Sequence, residues 1–205
     1  EAIENHLQII FNKFVIVSLS RLVDYKGIKE SIEIISELKK YNIKIIYCII
    51  GDGNERGNLI EYSKKLNLKI VFSPSNEDEL KDVDIILLGE QKNPFKYLSK
   101  SKIFLHNSFI EGFPNVILEA LVCETFVVAS NSTNILNEIF SSNDLSNYNF
   151  ILPIYKGEKE ILKLWVDKIV FIWNNYNNIS TNKNIQSQAV SKFDKKNILK
   201  IWDDI

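Results

Sequence analysis

The chain contains no methionine among its 205 residues, not even at position 1. A natural cytosolic chain starts with Met, so one that opens Glu1-Ala2-Ile3 is expected to be processed or cut out of something longer. Cysteine is almost as scarce. Cys48 sits inside an apolar run and Cys123 beside Val122, with no Cys-x-x-Cys pair, which excludes a disulfide scaffold and reads as reduced core residues of a cytosolic protein. The two histidines, His6 and His106, lie far apart in sequence, so no Cys/His zinc site is expected. Long apolar runs are missing too. The most apolar stretch, Ile161 to Trp173, carries Lys163, Asp167 and Lys168 and falls short of the roughly 18 uninterrupted residues a membrane span needs. There is no signal-peptide pattern. Finally, an excess of one charge is absent. With 25 basic and 26 acidic residues the net charge is -1, so no global field draws nucleic acid or an anionic membrane, and any anion site must be local.

What is present is the composition of an ordinary globular chain, 45% hydrophobic and 25% charged. Apolar runs alternate with segments of helical period. Phe14 to Ser20, Lys44 to Ile50, Lys69 to Phe72, Asp84 to Leu88, Ile103 to His106 and Phe126 to Ser130 read as strands. Gly27 to Tyr41, Glu55 to Leu66, Pro94 to Lys100 and Pro114 to Cys123 read as the helices between them. After Asn149 to Leu152 the chain turns helical, with a loop expected over Asn174 to Asn184 and a last helix over Ser187 to Asp203. Continuous Ile/Val/Leu strands separated by helices predict an α/β fold: a Rossmann-like parallel sheet with helices on both faces and a C-terminal helical tail. Ligands of such sheets bind at the carboxyl ends of the strands, which selects the loops at 21–26, 51–54, 89–93, 107–113 and 131–134.

Three of these loops carry chemistry. In Ser108-Phe-Ile-Glu-Gly-Phe-Pro-Asn-Val-Ile-Leu-Glu-Ala120, Gly112 permits a close backbone approach and Pro114 suits the first helical position. The amides of Asn115 and Val116 are then expected to be free at a helix start, a ready anion site. Glu111 just outside the helix and Glu119 in its second turn would bracket a ligand, although a turn residue and a solvated helix residue fit the spacing equally well. In Ser20-Arg-Leu-Val-Asp-Tyr-Lys-Gly27, Arg21 and Lys26 offer a forked and a point cation for a diphosphate, with a plain solvated turn as the alternative. Gly51-Asp-Gly-Asn-Glu-Arg-Gly57 looks like a loosened dinucleotide fingerprint, with Glu77 as a ribose acid, but its spacing is Gly-x-Gly-x-x-x-Gly. Asp82-Val-Asp84 supplies too few oxygens for a metal site.

Taken together, Arg21-x4-Lys26, the Gly51-Asp52-Gly53 turn, Leu88-Gly-Glu-Gln-Lys-Asn-Pro-Phe95 and Glu111-x7-Glu119 stand in an order that resembles the C-terminal, donor-binding domain of GT-B glycosyltransferases. Family 4, the glycosyl transferases group 1, is the nearest pattern, over roughly Phe14 to Phe140. The resemblance implies a retaining, metal-independent enzyme with no cofactor. Its substrate would be a nucleotide sugar, in this variant a UDP-sugar, used for bacterial surface polysaccharide or glycan synthesis.

By that resemblance Arg21 and Lys26 hold the donor diphosphate and, with Glu111 on the transferred sugar, form the catalytic set. Gly51, Gly53, Gln91, Gly112, Phe113, Pro114, Asn115, Val116 and Glu119 bind the donor, with Glu119 on the ribose and the Gly89 to Asn93 loop against the base. It further implies residues 1–13 as an interdomain remnant, 14–175 as the nucleotide-sugar domain, and 176–205 as a loop and helix packing toward a separate N-terminal domain that brings a glycan or lipid-linked acceptor. A cytoplasmic place, at the inner face of a membrane by peripheral association, goes with it; nucleic acid does not. Two departures stand out. Glu124 and Phe126 replace the Gly and Pro usual after the helix cysteine, and Asn131 to Asn134 replace a glycine-rich loop. Rival readings are an NAD(P)-binding Rossmann domain built on the Gly51 loop and a receiver-like interaction module, which lacks acidic residues after the first strand.

Overall fold

Strands that are apolar on every side chain must be covered on both faces, and the chain meets that demand with one seven-stranded, all-parallel sheet. The computed structural model describes residues 5–140 and 149–179. Within them the strands are β1 (Phe14–Leu19), β2 (Ile45–Ile50), β3 (Ile70–Phe72), β4 (Ile85–Gly89), β5 (Ile103–His106), β6 (Phe126–Ser130) and β7 (Phe150–Leu152). They lie in the order β3-β4-β2-β1-β5-β6-β7. The helices are α1 (Asn5–Gln8), α2 (Ile28–Lys39), α3 (Arg56–Lys65), α4 (Phe95–Leu98), α5 (Asn115–Val122), α6 (Ile135–Ile139) and α7 (Lys159–Ile179).

Alternation along the strands splits the core in two. Val15, Val17, Phe104 and Val127 face the layer of α4, α5 and α6, where Leu98, Ile117 and Leu136 are buried. Ile16, Tyr47, Ile49 and Leu105 face the opposite layer of α2, α3 and α7, with Ile32, Trp165 and Ile169 fully buried. At such positions truncation of a branched side chain to Ala costs about 2–5 kcal/mol, so each face fixes its helices firmly.

The expected loop from Asn174 is helical as far as Ile179, because Ile169, Ile172, Tyr176 and Ile179 continue the apolar stripe of α7 through the asparagines. The expected helix at 187–203 lies outside the described residues. Residues 5–12 form α1 and a single 3-10 turn whose Leu7, Ile10 and Phe11 enter the core.

The end of α5 shows why Glu124 matters. Thr125 N–H donates to Ala120 O at 3.0 Å and Glu124 N–H to Leu121 O at 2.9 Å, the bond pair of a Schellman stop. Such a stop needs a left-handed residue, and Glu124 takes it at φ 58°. The site where glycine is usual is thus a strained glutamate.

Candidate functional site

From β1 the chain crosses to β2 on one side, and β5 then pairs with β1 on the other, so the strand order reverses between β1 and β5. At such a reversal the loops leaving the carboxyl ends part and open a crevice. The loop after β1 carries Arg21 and Lys26, and that after β5 carries Glu111. They meet. Lys26 Nζ donates to Glu111 Oε1 at 2.6 Å, and both side chains are largely buried.

Main-chain bonds hold this meeting in place. Phe109 N–H donates to Tyr25 O at 2.8 Å, and Gly27, left-handed at φ 60°, packs against Asn107; a Cβ there would lie 2.1 Å from Asn107 O. Glycine is required at that position. Lys26 itself sits in the single 3-10 turn Asp24–Lys26, just before Gly27 and α2, rather than inside the helix start. Arg21 is exposed, with Nη2 donating to Tyr25 Oη at 2.7 Å.

Glu111 has a second neighbour that the sequence reading passed over. His106, at the end of β5, is only 4% exposed and stacks on Phe104 with ring centroids 5.8 Å apart. Its Nε2 comes within 3.0 Å of the same Oε1 that Lys26 holds, yet without the alignment of a hydrogen bond. Burial opposes ionisation of Glu111, but its contacts with His106 and Lys26 outweigh that and bring its carboxyl down to about 2. A histidine in an otherwise apolar strand, five residues before the glutamate, was the available signal.

A cleft of about 620 Å³ opens on the same edge of the sheet, lined by Ser20, Arg21, Gly51, Asp52, Gln91 and Val116, among others. Gly51 and Gly53 let this turn lie on the loop after β1: a Cβ would fall 1.9 Å from Ser20 O at Gly51 and 2.3 Å from Leu22 O at Gly53. Their packing accounts for the resemblance to a dinucleotide fingerprint. Gln91 donates to Leu88 O at 2.7 Å and accepts from Tyr97 Oη at 2.9 Å, so its amide shapes the 89–93 loop. Ser20 Oγ, Asn93 Oδ1, His106 Nε2 and Ser132 Oγ are, among the described residues, the buried side-chain polar atoms without a hydrogen bond. All four stand at or just beyond the carboxyl ends of strands. Buried polar atoms left unpaired cost free energy, and all four gather at the edge of the sheet where ligands of such folds bind.

The helix start differs from expectation. Pro114 precedes α5 with φ -85° and ψ 66°, and Asn115 N–H is already taken by Phe113 O at 3.0 Å. A tight turn at residues 113–115 uses that amide. Gly112 has nothing within 4 Å of where a Cβ would stand, and Phe113 is exposed beside it. Glu119 lies in the second turn of α5, half-buried, and burial pushes its carboxyl up. The Asp82-Val-Asp84 triplet is at the opposite, amino edge of the sheet, where Asp84 pairs with Lys39 at 2.8 Å.

Residues 1–151 match the family described as glycosyl transferases group 1. An uncharacterized glycosyltransferase of Methanocaldococcus jannaschii is 33% identical over 181 residues, 86% of this chain and 40% of that protein. The N-acetylgalactosamine-N,N'-diacetylbacillosaminyl-diphospho-undecaprenol 4-alpha-N-acetylgalactosaminyltransferase of Campylobacter jejuni is 30% identical over 63% of this chain and 31% of its own. The chain thus spans about 30–40% of the length of the curated relatives it matches. Among solved structures, the pneumococcal O-GlcNAc transferase GtfA, in complex with UDP and GlcNAc, superposes with a TM-score of 0.72 over 93% of this chain and 35% of that one, at 20% identity. The C-terminal domain of a glycosyl transferase group 1 family protein (LpcC) from Francisella tularensis superposes with a TM-score of 0.66 over 93% of each chain, also at 20% identity. A Rossmann-like sheet that matches the C-terminal domain of such an enzyme, together with a family match across three quarters of the sequence, leads to one conclusion: the chain belongs to the glycosyl transferases group 1 and carries the C-terminal fold of a GT-B glycosyltransferase.

Proposed function

We propose that this chain is the donor-binding part of a retaining, metal-independent glycosyltransferase that takes a UDP-sugar. One observation carries the reading. Lys26 and Glu111 come from different loops and touch at the point where the strand order reverses, and Arg21, on the same loop as Lys26, lines a cleft on that edge with the Gly51 turn, Gln91 and Val116. In this reading Arg21 and Lys26 bind the donor diphosphate, and as the glycosidic bond breaks their fixed charges stabilise the leaving nucleotide. Glu111 accepts from hydroxyls of the transferred sugar, Glu119 from the ribose, and Gly112 to Val116 line the sugar and phosphate. Gly51, Gly53 and Gln91 shape the wall toward the base.

Names of relatives support the substrate class. The Campylobacter jejuni relative transfers N-acetylgalactosamine, two Staphylococcus aureus relatives serve capsular polysaccharide biosynthesis, and the GtfA structure holds UDP and GlcNAc. The reading extends to hexosyl or N-acetylhexosaminyl transfer onto a glycan or lipid-linked acceptor held by a separate N-terminal domain. Cytoplasmic work at the inner face of a membrane, by peripheral association, belongs to it; among the described residues no helix is long and apolar enough to cross a membrane.

Calorimetry tests the proposal. UDP is expected to bind at up to millimolar concentration, more weakly to Arg21→Ala and to Lys26→Ala, with NAD(P) giving no heat. Absence of UDP binding, or unchanged binding in both variants, overturns it. The isolated chain is expected to transfer no sugar, and measurable transfer would refute that part.

A further inference from the structure

Glu111 Oε1 is a single acceptor approached by two nitrogens, Lys26 Nζ at 2.6 Å and His106 Nε2 at 3.0 Å. The lysine makes the hydrogen bond; the imidazole, 4% exposed, has none. A diphosphate bound by Lys26 competes with Glu111 for that ammonium. The carboxylate, only 11% exposed, would then keep only neutral partners, the Ser108 side chain and hydroxyls of the sugar, with His106 the one group in contact that can supply a positive charge. Resting on the donor-binding reading above, we infer that His106 is a positioning residue for Glu111: when Lys26 turns to the diphosphate, His106 takes a proton from solvent and holds the carboxylate through Nε2.

The charged groups about His106 are Glu111, in contact with it from the loop after its own strand, and Lys26, which reaches the same Glu111 oxygen from the turn after β1. Its other recorded neighbours are neutral: the Phe104 ring stacked on it and Ala129, opposite it on β6. Withdrawal of the ammonium both frees the carboxylate and removes a like charge from near the imidazole, and the two effects have the same sign. An uncompensated anion favours the charged imidazolium, so donor binding and proton uptake assist one another. The affinity for donor rises as pH falls through the window between the free and bound titration points of His106, at most tenfold per pH unit for one linked proton.

Two measurements decide it. The ligand must not titrate in that window, and UDP-N-acetylglucosamine suits because its diphosphate is esterified at both ends, unlike UDP. Calorimetry of its binding near pH 7 in two buffers of different ionisation enthalpy is expected to show uptake of a substantial fraction of a proton by the native chain. His106→Asn is expected to bind with no uptake. Binding by the native chain without uptake, or with the same uptake in His106→Asn, overturns the inference.

The second measurement needs no ligand. With only two histidines in the sequence, the imidazole NMR signals are assignable by comparison with His106→Asn. The titration point of His106 is expected to rise by about a unit or more in Lys26→Ala and to fall in Glu111→Gln. A point that moves in neither variant refutes the coupling. Absence of donor binding refutes the function proposed above, while the titrations still decide the relation of His106 to Glu111.

Discussion

Replacing Glu111 by Gln should remove a stability contribution that depends on pH in one direction. The native carboxyl is held at about 2 against its ordinary 4.5, because the contacts with His106 and Lys26 outweigh its burial. A depressed carboxylate contributes in full above its unfolded pKa, and the contribution is lost as pH falls toward the folded value. The separation of about 2.5 units corresponds to about 3 kcal/mol, of which about 2 kcal/mol is lost by pH 3. Other carboxylates also titrate in acid, so the native chain alone is uninformative; the gap between it and Glu111→Gln isolates this residue. Urea denaturation at pH 7, 5 and 3 should give a gap that is wide at pH 7 and at pH 5 and is narrowed by about 2 kcal/mol from pH 5 to pH 3. A gap constant from pH 7 to pH 3 would refute the assignment of the low pKa to Glu111.

Arg21→Ala should lower the affinity for UDP about tenfold or more, since a charge-assisted bond is worth about 1.5–3 kcal/mol, yet leave the urea midpoint nearly unchanged because the side chain is exposed. Calorimetry and denaturation on the same preparation check both halves. Glu124→Gly should stabilise the chain by about 0.5–1 kcal/mol, the left-handed strain relieved at φ 58° less the backbone entropy a glycine adds to the unfolded state. A lowered melting temperature would contradict the Schellman reading. Gly27→Ala should do the reverse, destabilising by about 2 kcal/mol or more through positive φ and the clash with Asn107 O; an unchanged urea midpoint would count against it.

The parallel sheet was legible because its strands are unbroken Ile/Val/Leu runs, which only cover on both faces can satisfy. Lys26 and Glu111 were legible as members of two loops on one edge. Their contact was not, since it depends on which strands neighbour one another, and 85 residues separate them. In the sequence His106 closes a strand, far from the other histidine and from any cysteine pair, so its spacing signals no shared site. Its partner follows it by five residues, but only the turn after β5 brings the two together. The same limit applied to Asn174 to Asn178: local propensity favours a loop there, and the apolar stripe through Tyr176 and Ile179 overrides it. Gly51 and Gly53 stand in what looks like a loosened dinucleotide fingerprint, and each meets the backbone of the loop after β1, a contact that spacing does not reveal.

Asn107, next to His106, exchanges two bonds with Tyr155: Nδ2 donates to Tyr155 O at 2.8 Å and Tyr155 N–H to Oδ1 at 3.0 Å. A side-chain amide here imitates one rung of a ladder between segments 48 residues apart in the chain. Tyr155 immediately precedes the approach to α7, and its hydroxyl reaches Glu33 of α2 at 2.5 Å. The start of the loop that bears Glu111 is therefore tied to the α2 and α7 layer. The amide of Phe109, bonded to Tyr25 O, should exchange with deuterium at a rate set by opening of that layer, so a substitution buried beneath α7 would be felt at the base of the Glu111 loop as faster exchange.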